Sequence, residues 1–158
     1  MRTGVRIALD WGAARIGVAA CDAAGTLAYP IGTVKATTDR AATLRAVVEL
    51  IAEREPFEVV VGLPRSLSGG EGPAAVAIRE RAIELARSIA PIPVRLIDER
   101  LSTVSAARRL GESGRSAKKQ RSVIDAAAAT TILEHALASE RATDQPPGEV
   151  VSAGTELS

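Results

Sequence analysis

The chain has 158 residues, with twenty Lys+Arg against nineteen Asp+Glu, a formal net charge of +1, 46% hydrophobic and 25% charged residues. That is one domain's length, able to bury roughly 68–70% of its unfolded surface without disulfides or structural metal. A single cysteine (Cys21) and a single histidine (His135) exclude a disulfide framework, a Cys-based zinc cluster and a multi-His metal site, while only Trp11, Tyr29 and Phe57 are aromatic, which argues against binding single strands mainly by base stacking.

In chain order, Val5–Asp10 alternates as a strand and Ile16–Cys21 as a second, joined by a short turn through Gly12. Thr26–Val34 is a third strand, and Pro30 makes it an edge. Asp39 then caps a helix with Leu44, Val47, Val48 and Ile51 at helical spacing. Glu58–Gly62 is a short buried strand, followed by a Gly/Ser loop to Gly72. Pro73 opens a helix to about Ile89. Pro93–Ile97 is another buried strand, Ser102–Leu110 a short helix, Gly111–Gln120 a polar basic connection and Ser122–Ala138 a long Ala-rich helix. From Ala142 onward there are acids, Pro and Gly but no positive charge, the composition of a disordered tail. The order βββαβαβαα predicts an α/β fold: a five-stranded mixed sheet, three antiparallel strands then two parallel, with helices on both faces. Residues 1–141 form the domain and 142–158 the disordered acidic tail.

No apolar run approaches the ~20 residues of a membrane span. The apolar N-terminal stretch is broken by Asp10 and Arg15, which a signal-peptide core does not tolerate. The expectation is a soluble cytoplasmic protein without membrane partners. Any chemistry must rest on carboxylates, Lys/Arg, hydroxyls or a cofactor.

Three acids stand out. Asp10 ends the first strand, Glu99 follows the Pro93–Ile97 strand, and Asp125 heads a helical stripe of Ala128, Ala129, Ile132, Leu133 and Ala136. A carboxylate on such a stripe is costly unless paired or bound to a cation. Each also has an ordinary reading: a turn residue for Asp10, a surface charge cluster for Glu99, a salt bridge or helix cap for Asp125. Taken together they are stronger, because strand ends in α/β sheets share one ligand-binding edge. Three carboxylates without His or Cys suit Mg²⁺ or Mn²⁺. Between Arg100 and Arg121 seven positive residues face Glu112 alone. On its own that run is a solvated loop; beside an acidic metal site it makes sense as a phosphate clamp.

The segment Leu9-Asp10-Trp11-Gly12-Ala13-Ala14-Arg15-Ile16-Gly17-Val18-Ala19 resembles the opening of the YqgF, or RuvX, family. Val59-Val60-Val61-Gly62-Leu63-Pro64 with Gly70-Glu71-Gly72, Asp98-Glu99-Arg100-Leu101-Ser102-Thr103, and Lys118-Lys119-Gln120-Arg121-Ser122-Val123-Ile124-Asp125 resemble its later motifs, in order. The resemblance covers roughly residues 5 to 140. Ala8, where the family usually has Gly, and the bulky Trp11 depart from the pattern. The resemblance implies a ribonuclease H-like nuclease domain related to RuvC Holliday-junction resolvases, in a family described as pre-16S rRNA nucleases. It implies Asp10, Glu99 and Asp125 as catalytic and metal-holding residues for two Mg²⁺ or Mn²⁺ ions, phosphodiester hydrolysis leaving 5′-phosphate and 3′-hydroxyl ends, and an rRNA precursor or branched DNA as substrate. Arg15, Arg100, Lys118, Lys119 and Arg121 are the expected substrate-binding residues. Two other classes stand beside this: a non-catalytic nucleic-acid-binding module, and an actin/hexokinase-type phosphotransferase, which needs a second domain. The oligomeric state is open between monomer and homodimer.

Overall fold

The computed structural model describes residues 1–64, 70–99 and 117–151, and for 117–125 the backbone path only. Its elements are β1 (Arg6–Trp11), β2 (Arg15–Cys21), β3 (Ala28–Lys35), α1 (Arg40–Arg54), β4 (Glu58–Leu63), α2 (Pro73–Ile89), β5 (Val94–Asp98), α3 (Ala117–Thr143) and β6 (Glu149–Val151). They form one mixed sheet in the order β3-β2-β1-β4-β5-β6. β1, β2 and β3 are an antiparallel meander, β1, β4 and β5 run parallel, and β6 returns antiparallel to β5. Asp39 caps α1 by accepting from the Ala42 N–H at 3.0 Å, and Pro73 occupies the first turn of α2. Pro30 lies in edge strand β3 as expected, opposite Ala19 where the register shifts.

Three expectations need correction. The sheet has six strands, not five, and the sixth comes from the segment expected to be a disordered tail. Three residues (Glu149-Val150-Val151) are too few to show a strand period, and the register against Val94–Leu96 supplies the order. Arg79 of α2 holds this strand by donating to both Glu71 and Glu149, at 2.7 Å each. The last helix starts at Ala117 and runs to Thr143, so Lys118, Lys119 and Arg121 lie on a helix rather than in a connection. The short helix expected over 102–110 and residues 152–158 lie outside the described residues.

The two faces are packed differently. α1 and α2 cover one face, where Ile7, Leu9, Val59, Val61, Val94 and Leu96 meet Val47, Ile51, Ile78 and Leu85. α3 covers the other, where Ala8, Ala19, Val60 and Ile97 meet Ala129, Ile132, Leu133, Ala136 and Leu137. Alanines on both sides bring this helix close to the sheet.

Strand alternation puts Arg6, Ala8 and Asp10 on the α3 face of β1, Glu58, Val60 and Gly62 on that of β4, and Arg95, Ile97 and Glu99 along β5. The lower end of this face is ionic and buried. Arg6, Glu58 and Glu140 are at most 2% exposed. Glu140 accepts from Arg6 at 3.0 Å and from Arg2 at 2.7 Å, while Glu58 accepts from Arg2 at 3.0 Å and from Arg95 at 2.7 Å. The Arg2 and Arg6 guanidinium carbons lie 4.9 and 4.8 Å from the centroid of the Phe57 ring. The network ties the C-terminal part of α3 to β1 and β4.

Burial opposes the charge on Glu140, but hydrogen bonds from the side chain and backbone of Arg2, with the charges of Arg6 and Arg2, outweigh it and hold the carboxyl down at about 2. A depressed carboxyl stabilises the fold above its unfolded value and loses that contribution as pH falls through the folded one. The window is therefore from about pH 4.5 down to about pH 2. Glu140→Gln should cost about 3–5 kcal/mol at pH 7, because it leaves Arg6 buried without its counter-charge. Urea unfolding between pH 7 and pH 2.5 should show the wild type losing about 3 kcal/mol more than the variant over that range.

Candidate active site

The upper end of the α3 face carries the acids. Asp10, at the end of β1, is 6% exposed. Its partner in β2 is Gly17, and in β4 the residue beyond the Leu9–Val61 pair is Gly62. The carboxylate thus stands between two positions without side chains. Of the adjacent acids at the end of β5, Asp98, its last residue, is exposed and Glu99 half-buried. The Glu99 N–H donates to the Leu63 carbonyl at 3.2 Å, which carries the chain along β4 beyond the end of β5. A Cβ built on Gly62 would lie 2.8 Å from Glu99 Oε2 and 2.5 Å from Ile132 Cδ1 of α3. Glu99 therefore lies over β4, one strand spacing (about 4.8 Å) from β1. Only a glycine at 62 leaves room for it beneath α3.

Asp125 is on α3, seven residues before Ile132, which places its backbone about two turns further toward the start of that helix. It precedes the buried stripe Ala129, Ile132, Leu133 and Ala136. Its side chain, with those of Lys118, Lys119 and Arg121, is outside the described part of the molecule, and so is all of Arg100. Arg15 opens β2 and is half-buried. Alternation with Gly17 and Ala19 puts it on the α3 face, the face of Asp10. Its carbonyl accepts from the Gly12 N–H at 2.9 Å, and a Cβ at Gly12 would lie 2.6 Å from that oxygen, so this tight turn also requires glycine.

Asp10 and Glu99 both line a cavity of about 490 Å³ that opens between α1 and α2. Its walls include Trp11, Leu44, Ile78, Arg40 and Arg81, and Glu84 forms ion pairs with both arginines. Nothing in the sequence pointed to this cavity. Arg40 reads as the first residue of a helix and Arg81 as one charge on the exposed side of another. Their meeting at Glu84, 44 residues from Arg40, is purely tertiary. His135 is exposed and Cys21 is buried.

Among the described residues no group of three or more His, Cys, Asp or Glu is placed to hold a metal ion. Asp10 and Glu99 are two hard-oxygen donors on one face of one edge, and the donor chemistry fits Mg²⁺ or Mn²⁺. Among the described residues, no helix is long and apolar enough to cross a membrane.

A mixed α/β sheet with acids at the ends of its parallel strands defines a RuvC-like fold, and solved structures agree. RuvC of T. thermophilus, determined in complex with a Holliday junction substrate, superposes with a TM-score of 0.54 at 17% identity, over 89% of this chain and 97% of that one. The chain belongs to the RuvX family, described as Holliday junction resolvase, which matches residues 4–139. A relative from Streptomyces coelicolor named "Putative pre-16S rRNA nuclease" is 58% identical over 151 residues, covering 96% of this chain and 90% of its own. One of the same name from Nocardioides sp. is 54% identical, covering 96% and 98%.

The contacts at Gly62 make a direct prediction. Gly62→Ala forces Ile132 and Glu99 apart and should cost about 1–3 kcal/mol, the range for overpacking. Adding Ile132→Val should recover part of that loss. Thermal melts of the two variants beside wild type measure both effects.

Proposed function

We propose that this protein is a metal-dependent phosphodiester endonuclease acting on structured nucleic acid, and that its reaction is 5′-end maturation of pre-16S rRNA. The observation that carries the reading is the pair Asp10 and Glu99, lining one cavity at the strand ends with Glu99 over Gly62, in a chain of the RuvX family. The names of its relatives supply the substrate.

In this reading Asp10, Glu99 and Asp125 hold two Mg²⁺ or Mn²⁺ ions. Bound there, divalent metal supplies Lewis-acid activation of water and charge stabilisation at the leaving oxygen. The protein's own part is positioning. The sheet edge fixes Asp10 and Glu99, α3 carries Asp125 toward them, and Arg15 and Arg100 neutralise oxygens near the scissile phosphate. Lys118, Lys119 and Arg121, on the first turns of α3, meet phosphates further along the backbone and carry no base identity. The products have 5′-phosphate and 3′-hydroxyl ends. The protein works in the cytoplasm, and the domain that does this work extends through β6. β6 completes the sheet edge far from β1.

A second reading is Holliday-junction resolution, favoured by the family's own description. It requires two sites related by two-fold symmetry, hence a dimer. One experiment separates the readings: Mg²⁺-dependent cleavage of a precursor 16S rRNA fragment beside a four-way DNA junction. The wild type should cut the rRNA at its 5′ side. Asp10→Asn, Glu99→Gln and Asp125→Asn should each lose at least 100-fold in turnover while keeping RNA affinity within a few-fold. Preferential junction cleavage would favour the second reading, and full cleavage in EDTA or by Asp10→Asn would refute both.

A further inference from the structure

The cavity between α1 and α2 has no part in the roles assigned so far. It lies on the face opposite the acids, yet Asp10 and Glu99 form part of its lining, so the two compartments join around the strand ends. Trp11, the chain's only tryptophan, is the residue after Asp10, and alternation turns it to the cavity side. It packs partly against the core and remains half-exposed. Leu44 and Ile78 continue an apolar wall. Arg40 and Arg81, on α1 and α2, share the carboxylate of Glu84, while Asp10 and Glu99 add two carboxylates at the strand ends. Arg81 Nη1 is buried and has no hydrogen-bond partner among the described residues.

The volume, about 490 Å³, falls within the roughly 300–1,000 Å³ of small-ligand sites and is far too small for a duplex. An apolar wall with an aromatic side chain suits a flat heterocycle, and the two arginines on the helix side outnumber Glu84 where an attached phosphate would meet them. We propose that this cavity receives one unstacked nucleobase of the substrate, lying against Trp11, from the nucleotide beside the scissile phosphate. The proposal rests on the nuclease reading for its occupant and adds to it a base-binding subsite. A base on an aromatic face contributes enough affinity to take a nucleotide out of the stack, with little preference for sequence. One such platform is compatible with the scarcity of aromatics elsewhere in the chain.

Trp11 is also the probe. Titrating the full-length protein, without metal, with the single-stranded RNA hexamer rA6 should quench its fluorescence saturably. The same hexamer without bases should bind more weakly and leave the fluorescence nearly unchanged. Ala77 and Ala74 are exposed on α2 and line the cavity, so Ala77→Leu or Ala74→Leu fills it from a helical surface position. Either should weaken the rA6 quench at least tenfold, with circular dichroism confirming the fold. Two such variants keep the test standing if one folds poorly. Absence of quenching, equal quenching by the abasic chain, or an undiminished response in folded leucine variants would overturn the proposal. Asp125→Asn, at a residue outside the lining, separates it from the nuclease reading, because that variant should lose cleavage and retain the base-dependent quench. Cleavage by wild type without any quench would remove the subsite alone.

Discussion

The buried contact of Glu140 with Arg6 and Arg2 fixes the rest of the α3 face. Such a network is weak evidence for net stability, since taking the charges out of water costs about as much as their attraction returns. Its consequence is register. A one-residue slip of β1 would turn Arg6 toward α1 and α2, where there is no carboxylate for it among the residues of that core. With Arg6 held opposite Glu58 and Glu140, the period of two puts Ala8 and Asp10 on the same face. The ionic end thus sets the side from which the acids at the other end project.

α3 converts that alignment into a site. Anchored at Glu140, it runs back over the sheet through Leu133 and Ile132 to the strand ends. Ile132 and Glu99 meet above Gly62, and the missing side chain there admits both. Glycines also border Asp10 on each neighbouring strand. The open space at this edge results from two glycines, Gly17 and Gly62, on the strands beside Asp10. The opposite face reaches the same edge through Trp11, one residue along β1. A nucleotide held in both compartments would straddle the end of that strand.

Much of this was legible in the sequence because it depends on short-range patterns. Alternation marked β1 and β2, Asp39 marked the start of α1, Pro73 that of α2, and Pro30 the edge. Asp10 and Glu99 stood out as acids at strand ends, and Asp125 as an acid on an apolar helical stripe. The features that were missed depend on contacts distant in the chain. Glu149-Val150-Val151 becomes a strand only because β5 offers a free edge and Arg79 holds Glu149. The start of α3 at Ala117 was hidden by a basic run that reads as a loop. Nothing local in the sequence pairs Arg6, Glu58 and Arg95, because Arg95 meets Glu58 and Arg6 meets Glu140 only in the fold.

The most direct measurement is a calorimetric titration of Mn²⁺ into the nucleic-acid-free protein and into Asp10→Asn and Glu99→Gln. If the two carboxylates at the strand ends form the metal site, wild type binds Mn²⁺ and each variant weakens that binding at least tenfold without loss of fold. Equal Mn²⁺ binding by all three proteins would contradict it and would place any metal chemistry elsewhere in the molecule.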